Sequence, residues 1–158
     1  MKQSNLIEKI ERNFKEEISN TMVYQTPAGN NNSDIRPTAN ELKICANKKS
    51  KYQLGVGIHL YLIKYSRPDI TDLVRDLSKV NDGAIESHWK SSIRLLKYVV
   101  KTNNRFLCYK VDIDNNEEKW EIKSFSDSNY AGYKDSTISV TGCCIYVNGC
   151  LVSRKSKG

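Results

Sequence analysis

The sequence predicts an α+β fold with helices first and strands last, and three observations predict it. Apolar residues between residues 5 and 101 recur at helical spacing, whereas those between residues 105 and 155 alternate with polar ones. An Asn148-Gly149 pair then sits between two β-rich arms, the pattern of a tight hairpin. The change of period falls near Thr102 to Asn104, dividing the chain into a helical part, 1–103, and a strand-rich part, 104–158.

The first helix is expected over residues 5–18, with Leu6, Ile7, Ile10, Phe14 and Ile18 on one face, Asn5 as N-cap and Glu8 as its capping-box partner. From Ser19 to about Lys49 the run TPAGNNNSDIRPTAN favours turns and extended backbone, so this stretch reads as a linker or long surface loop. Residues 51–64 mix both periods, but read as a helix in which Gly55 and Gly57 serve close packing; no phosphate-loop pattern follows them. In SRPDI, Pro68 presets the first turn of the next helix and Asp69 complements its dipole. NDGA at 81–84 breaks that helix. Another begins near Ile85, with Trp89, Ile93, Leu96, Val99 and Val100 along one stripe.

RFLCYKVDI (105–113) and KWEIKSFS (119–126) read as strands around an acidic turn, in which Asp112, Asp114, Glu117 and Glu118 form a solvated tip. TGCCIYVNGCLVSRKS reads as a type I′ hairpin.

With 25 Lys plus Arg against 18 Asp plus Glu, the net charge of +7 makes polyanions natural partners. The helix at 85–101 sharpens that expectation, because Lys90, Arg94, Lys97 and Lys101 share its non-apolar face and can follow a phosphate backbone; an ordinary solvated face is the competing reading. His88 could bond to a nucleic-acid strand, whereas Trp89 lies on the apolar stripe and reads as core. His59, inside an apolar helix and outside any HExxH context, reads as a packed histidine. The five cysteines form no CxxC pair, and adjacent Cys143 and Cys144 point to opposite faces of a strand, which argues against a thiolate metal site. No apolar run approaches the length of a membrane span, and charges occupy the start where a signal peptide needs apolar residues, so an intracellular protein of cytoplasm or nucleus, without membrane contact, is expected.

Asp127 is the candidate for chemistry. It falls where KWEIKSFS gives way to a polar turn, and a carboxylate fixed at a strand end can hold a divalent ion over a phosphodiester. Taken alone, it reads as a turn residue capping its own loop.

Several motifs in order change that balance: YSRPDI (65–70), HWKSSIRLLKYVVKT (88–102), FSDSNYAG (125–132), TGCCIYVNG (141–149) and VSRKSK (152–157). Together they resemble the end of the polymerase polyprotein of copia-type LTR retrotransposons, where reverse transcriptase runs into ribonuclease H. LIEKIERNF and YQTPAG extend the resemblance over nearly the whole chain. It implies a thumb- and connection-like helical segment over 1–103, followed by the first antiparallel strands of an incomplete ribonuclease H-like domain over 104–158. It also implies that Asp127 is the first of the Mg2+-binding carboxylates, that the partners are an RNA/DNA hybrid and the remainder of the polyprotein, and that the parent activity is RNA-templated DNA synthesis with cleavage of the hybrid's RNA.

The departures matter. Where the family carries a second acidic residue, a tryptophan, a basic residue and another tryptophan, this chain has Asn129, Tyr130, Ile138 and Arg154. The family's other ribonuclease H ligands belong after Gly158, and its polymerase aspartates before Met1. Asp127 would therefore hold a metal only if partners were supplied, and the chain alone is expected to bind no metal and to be inactive. Two further readings fit the same residues: a small basic nucleic-acid-binding module without catalysis, and a decayed remnant without a selected role. The sheet edge left by the missing strands is expected to invite aggregation or pairing with another chain.

Overall fold

The computed structural model describes residues 3–19, 22, 24–29, 42–109, 120–129 and 140–157. The chain divides into two compact units, Met1–Leu107 and Cys108–Gly158. The first is helical and the second holds an antiparallel sheet, so the predicted α+β class holds.

The helical unit begins with α1 (Ser4–Asn13) and α2 (Lys15–Ile18). The single expected helix is thus two, and Gln3 rather than Asn5 stands at the N-cap, its side chain accepting from Ser66 Oγ at 2.9 Å instead of capping the helix. The break comes at Phe14, whose backbone leaves the helical region (φ −121°, ψ 26°) while its ring is fully buried. Helix α3 (Ala46–Tyr65) starts five residues before the predicted position, shortening the expected linker; residues 30–41 lie outside the described residues. Its mixed periodicity has a direct cause. Tyr52, Val56, Ile58, His59 and Leu62 enter the core, while Leu54, Leu60 and Tyr61 lie exposed on the other side. Gly55 faces the core, where a Cβ would stand 3.4 Å from Phe14 Cζ and 3.6 Å from Ser92 Oγ, so it permits the close approach of α3 to α5; Gly57 faces open space.

A 3₁₀ turn (Pro68–Ile70) leads into α4 (Thr71–Lys79), followed by α5 (Glu86–Lys101). Ile10, Phe14, Tyr52, Leu62, Leu77, Leu95, Leu96 and Val99 pack together as the core, and the Tyr52 hydroxyl satisfies its buried position by donating to the Leu77 carbonyl at 2.7 Å. A short antiparallel bridge between Lys43 and Ile85, with Ile44 N–H donating to Ala84 O at 3.0 Å, ties the entry to α3 against the start of α5.

The second unit contains β1 (Ile122–Asn129), β2 (Val140–Val147) and β3 (Cys150–Lys157) in the order β1-β2-β3, all antiparallel. The hairpin turn is as predicted: Asn148 (φ 47°) and Gly149 (φ 75°) both take the left-handed conformations that a type I′ turn requires. A register shift at Ile145/Tyr146 leaves one extra residue on β3.

Two strand expectations are corrected. Residues 105–109 form no strand; their backbone instead donates from Arg105 to Thr102 O and from Leu107 to Ser66 O, while the rest of RFLCYKVDI and the acidic tip lie outside the described residues. The strand expected over 119–126 runs three residues later. The polar turn expected at Asp127 is strand instead, and the strand's end is set by the partner, since Val140 begins β2 opposite Asn129. Among the described residues no helix is long and apolar enough to cross a membrane.

Candidate nucleic-acid surface and the Asp127 strand

Helix α5 brings Lys90, Arg94, Lys97 and Lys101 to one face, because residues four, seven and eleven apart fall on one side of a helix. The four are not equivalent. Arg94 donates through one terminal nitrogen to Thr26 Oγ1 (3.2 Å) and Ala28 O (3.0 Å), and its guanidinium lies 4.2 Å from the Tyr24 ring centre. It therefore clamps the 24–28 segment to α5 through one terminal nitrogen and the stacked face of its guanidinium. Lys90 and Lys101 are exposed and Lys97 is half-buried. They carry the charge that this face offers to solvent.

The start of α5 is built by residues considered for binding. His88 is buried, and its Nδ1 accepts the Ile85 backbone N–H at 3.1 Å, closing the first turn from the third helical position. Trp89 is 8% exposed and belongs to the core, as its stripe position predicted. His59 is fully buried, with neither ring nitrogen hydrogen-bonded among the described residues; burial, followed by the Arg67 charge, pushes its pKa down to about 3, so it is neutral.

Sequence reasoning missed what YSRPDI does. Arg67, whose side chain is 3% exposed, grips Asp69 with a two-pronged fork (Nε to Oδ1 2.9 Å, a terminal nitrogen to Oδ2 2.8 Å) and donates to Thr102 O (3.1 Å) and Thr102 Oγ1 (2.8 Å). The Tyr98 hydroxyl donates to the same Asp69 Oδ2 at 2.8 Å, and Arg105 donates to the Tyr98 oxygen at 3.2 Å. Burial raises the Asp69 pKa, but the bonds from Arg67 and Tyr98 outweigh it and hold the carboxyl below its ordinary value. Asp69 thus locks the end of α3 to the end of α5. A signal was present: a tyrosine on an apolar stripe needs a partner for its hydroxyl once buried.

In the sheet, Asp127 stands within β1 rather than at its end, opposite Gly142 on β2, with its side chain exposed. Lys123, Phe125 and Asp127 share a face by strand alternation, and Phe125 packs edge-on against Tyr146 at 5.7 Å. Magnesium takes six oxygens in near-octahedral geometry, and two-ion hydrolysis needs several carboxylates. Among the described residues no three His, Cys, Asp or Glu side chains come together. Those residues do not fit a two-ion site, and no catalytic step follows from them. Cys143 is exposed and its neighbour Cys144 half-buried, as expected for adjacent strand residues on opposite faces.

Fold and geometry together define an α+β protein with a cationic helix in one unit and a carboxylate-bearing antiparallel sheet in the other. Comparison with known proteins is more specific. The chain is 29% identical to a secreted RxLR effector protein of Plasmopara viticola over 110 residues, covering 70% of this chain and 74% of that protein. It is 28% identical to the retrovirus-related Pol polyprotein of transposon RE1 from Arabidopsis thaliana over 103 residues, 65% of this chain but 7% of the polyprotein, and other plant-transposon polyproteins match similarly. It is 32% identical to an uncharacterized mitochondrial protein of Arabidopsis thaliana over 82 residues, 52% of this chain and 69% of that protein. The chain belongs to the same family as that mitochondrial protein, and it corresponds to a fragment of a retrotransposon Pol polyprotein. No protein-family profile and no solved structure matches it.

Proposed function

We propose that this segment is the copia-type junction at which reverse transcriptase runs into ribonuclease H: residues 1–103 a thumb- and connection-like helical piece, and 104–158 the opening strands of a ribonuclease H-like domain. The observation that carries the reading is Asp127 on the first strand of a three-stranded antiparallel sheet whose hairpin turns at Asn148-Gly149, in a chain related to Pol polyproteins. On this reading Asp127 is one carboxylate of a magnesium site whose other ligands come from the remainder of the polyprotein. The isolated chain binds an RNA/DNA hybrid weakly and does not cut it.

Lys90, Lys97 and Lys101 supply that weak binding, with Arg94 holding the neighbouring segment in place. Fluorescence anisotropy with a labelled hybrid across a salt series tests this. Each lysine changed to Gln should weaken binding and lower the slope of log affinity against log salt by about 1, the signature of one lost phosphate contact. Binding unchanged in the triple variant would overturn the assignment of this face.

A second reading, a small basic binding module without catalysis, draws support from the relatives of comparable size, since the matched segment makes up 74% and 69% of two of them. It differs in predicting no preference for hybrid over plain DNA duplex in the same titration.

A further inference from the structure

Arg94 stands in the middle of the cationic face of α5, four residues after Lys90 and three before Lys97, yet its own chain takes up its reach. One terminal nitrogen, with two protons to give, is shared among Thr26 O (3.4 Å), Thr26 Oγ1 (3.2 Å) and Ala28 O (3.0 Å). Nε is buried and has no acceptor among the described residues. Arg67 uses the same pair of donors, Nε and a terminal nitrogen, to grip both Asp69 oxygens side-on. In Arg94 one member of that pair meets only neutral oxygens and the other meets nothing. The 24–28 segment has no charged side chain to answer the guanidinium. A phosphodiester would answer it with charged oxygens, and charge-assisted bonds are about twice as strong as the neutral ones they would replace. Nor does lifting the segment leave its polar groups unpaired, because the Thr26 hydroxyl donates to Ala28 O at 2.9 Å. Tyr24 and Ala28, half-buried and packed against the helical core, make the closed arrangement the resting one.

We propose that residues 24–28 form a strap that withholds Arg94 from nucleic acid, so that loosening the strap adds a fourth phosphate contact to the lysine face. The proposal rests on the reading of that face as a binding surface and gives it a regulated strength. With the strap closed, Lys90, Lys97 and Lys101 bind weakly; with the strap open, Arg94 joins them from the centre of the stripe, with its side-on pair of donors free for a phosphate.

Fluorescence anisotropy of the full chain with a labelled RNA/DNA hybrid, across a salt series, tests this. Tyr24→Leu removes the ring stacked on the guanidinium while keeping an apolar group against the core, and Thr26→Val removes the hydroxyl acceptor. Together they should tighten binding about threefold to tenfold and steepen the slope of log affinity against log salt by about 1. Adding Arg94→Gln to that chain should undo both changes. Thr26→Val alone, at an exposed position, should shift affinity in the same direction, which keeps the test valid where loss of the Tyr24 ring disturbs the core. Far-UV circular dichroism verifies the helices of each variant. A merely structural clamp predicts the opposite sign, with binding unchanged or weaker once the segment is loosened, and that result would overturn the proposal. So would a gain in affinity that survives Arg94→Gln. Binding that needs the three lysines but ignores the strap variants overturns this proposal alone, whereas binding indifferent to the lysines overturns the underlying assignment of the face with it.

Discussion

Arg67 and Asp69 flank Pro68, and their separation by one residue is what lets a guanidinium fork reach back over the proline to the carboxylate. A charge as buried as Arg67 is tolerable because Asp69 and both Thr102 oxygens surround it. His59 is the opposite case: a titratable ring inside the core without a compensating bond among the described residues. Its folded pKa, down to about 3, lies below the ordinary 6.5. The unfolded chain therefore binds a proton that the folded chain refuses, and stability must fall as pH drops from about 6.5 towards 3, by up to about 1.4 kcal/mol per pH unit. Asp69, also held below its ordinary value, adds a further loss once the pH falls below the normal carboxylate range. Urea titrations at stepped pH measure this. His59→Leu should flatten the curve between pH 6.5 and 4 while leaving the more acidic loss from Asp69; an unchanged slope would contradict the buried neutral histidine.

At the scale of elements, α3 shows how a helix can be apolar on two sides and still have one inner face. Gly55 and Gly57 looked alike in sequence, but one meets Phe14 and Ser92 and the other meets nothing. Gly57→Ala should stabilise the protein by about 0.5–1 kcal/mol through helix propensity alone. Gly55→Leu should destabilise it by about 1–3 kcal/mol by pushing α3 off Phe14 and α5. Thermal melts of both variants provide the check, and equal effects would mean that Gly55 does not govern the helix approach. The same pair explains what was legible. The period along residues 71–101 fixed the helices from 71 onward closely, and Asn148-Gly149 fixed the hairpin, because each signal is local. The break at Phe14 and the end of β1 were not legible, since one follows from burying a ring and the other from where β2 begins. Likewise Lys90 and Arg94 carry the same charge at the same spacing, and the Tyr24 ring and Thr26–Ala28 backbone that claim Arg94 lie 66 residues and more away in sequence.

For the molecule as a whole, the helical unit is closed around a continuous core, whereas the three-stranded sheet keeps Ile122, Phe125 and Val152 exposed. Under the proposed function, the helical unit would present the lysine face that binds and the sheet would present Asp127. The incubation of the purified chain with a labelled RNA/DNA hybrid and magnesium, beside Asp127→Asn, tests it most directly. The account predicts intact RNA with both proteins, because one carboxylate cannot anchor two ions. Magnesium-dependent cleavage by the unsubstituted chain that disappears with Asp127→Asn would contradict it.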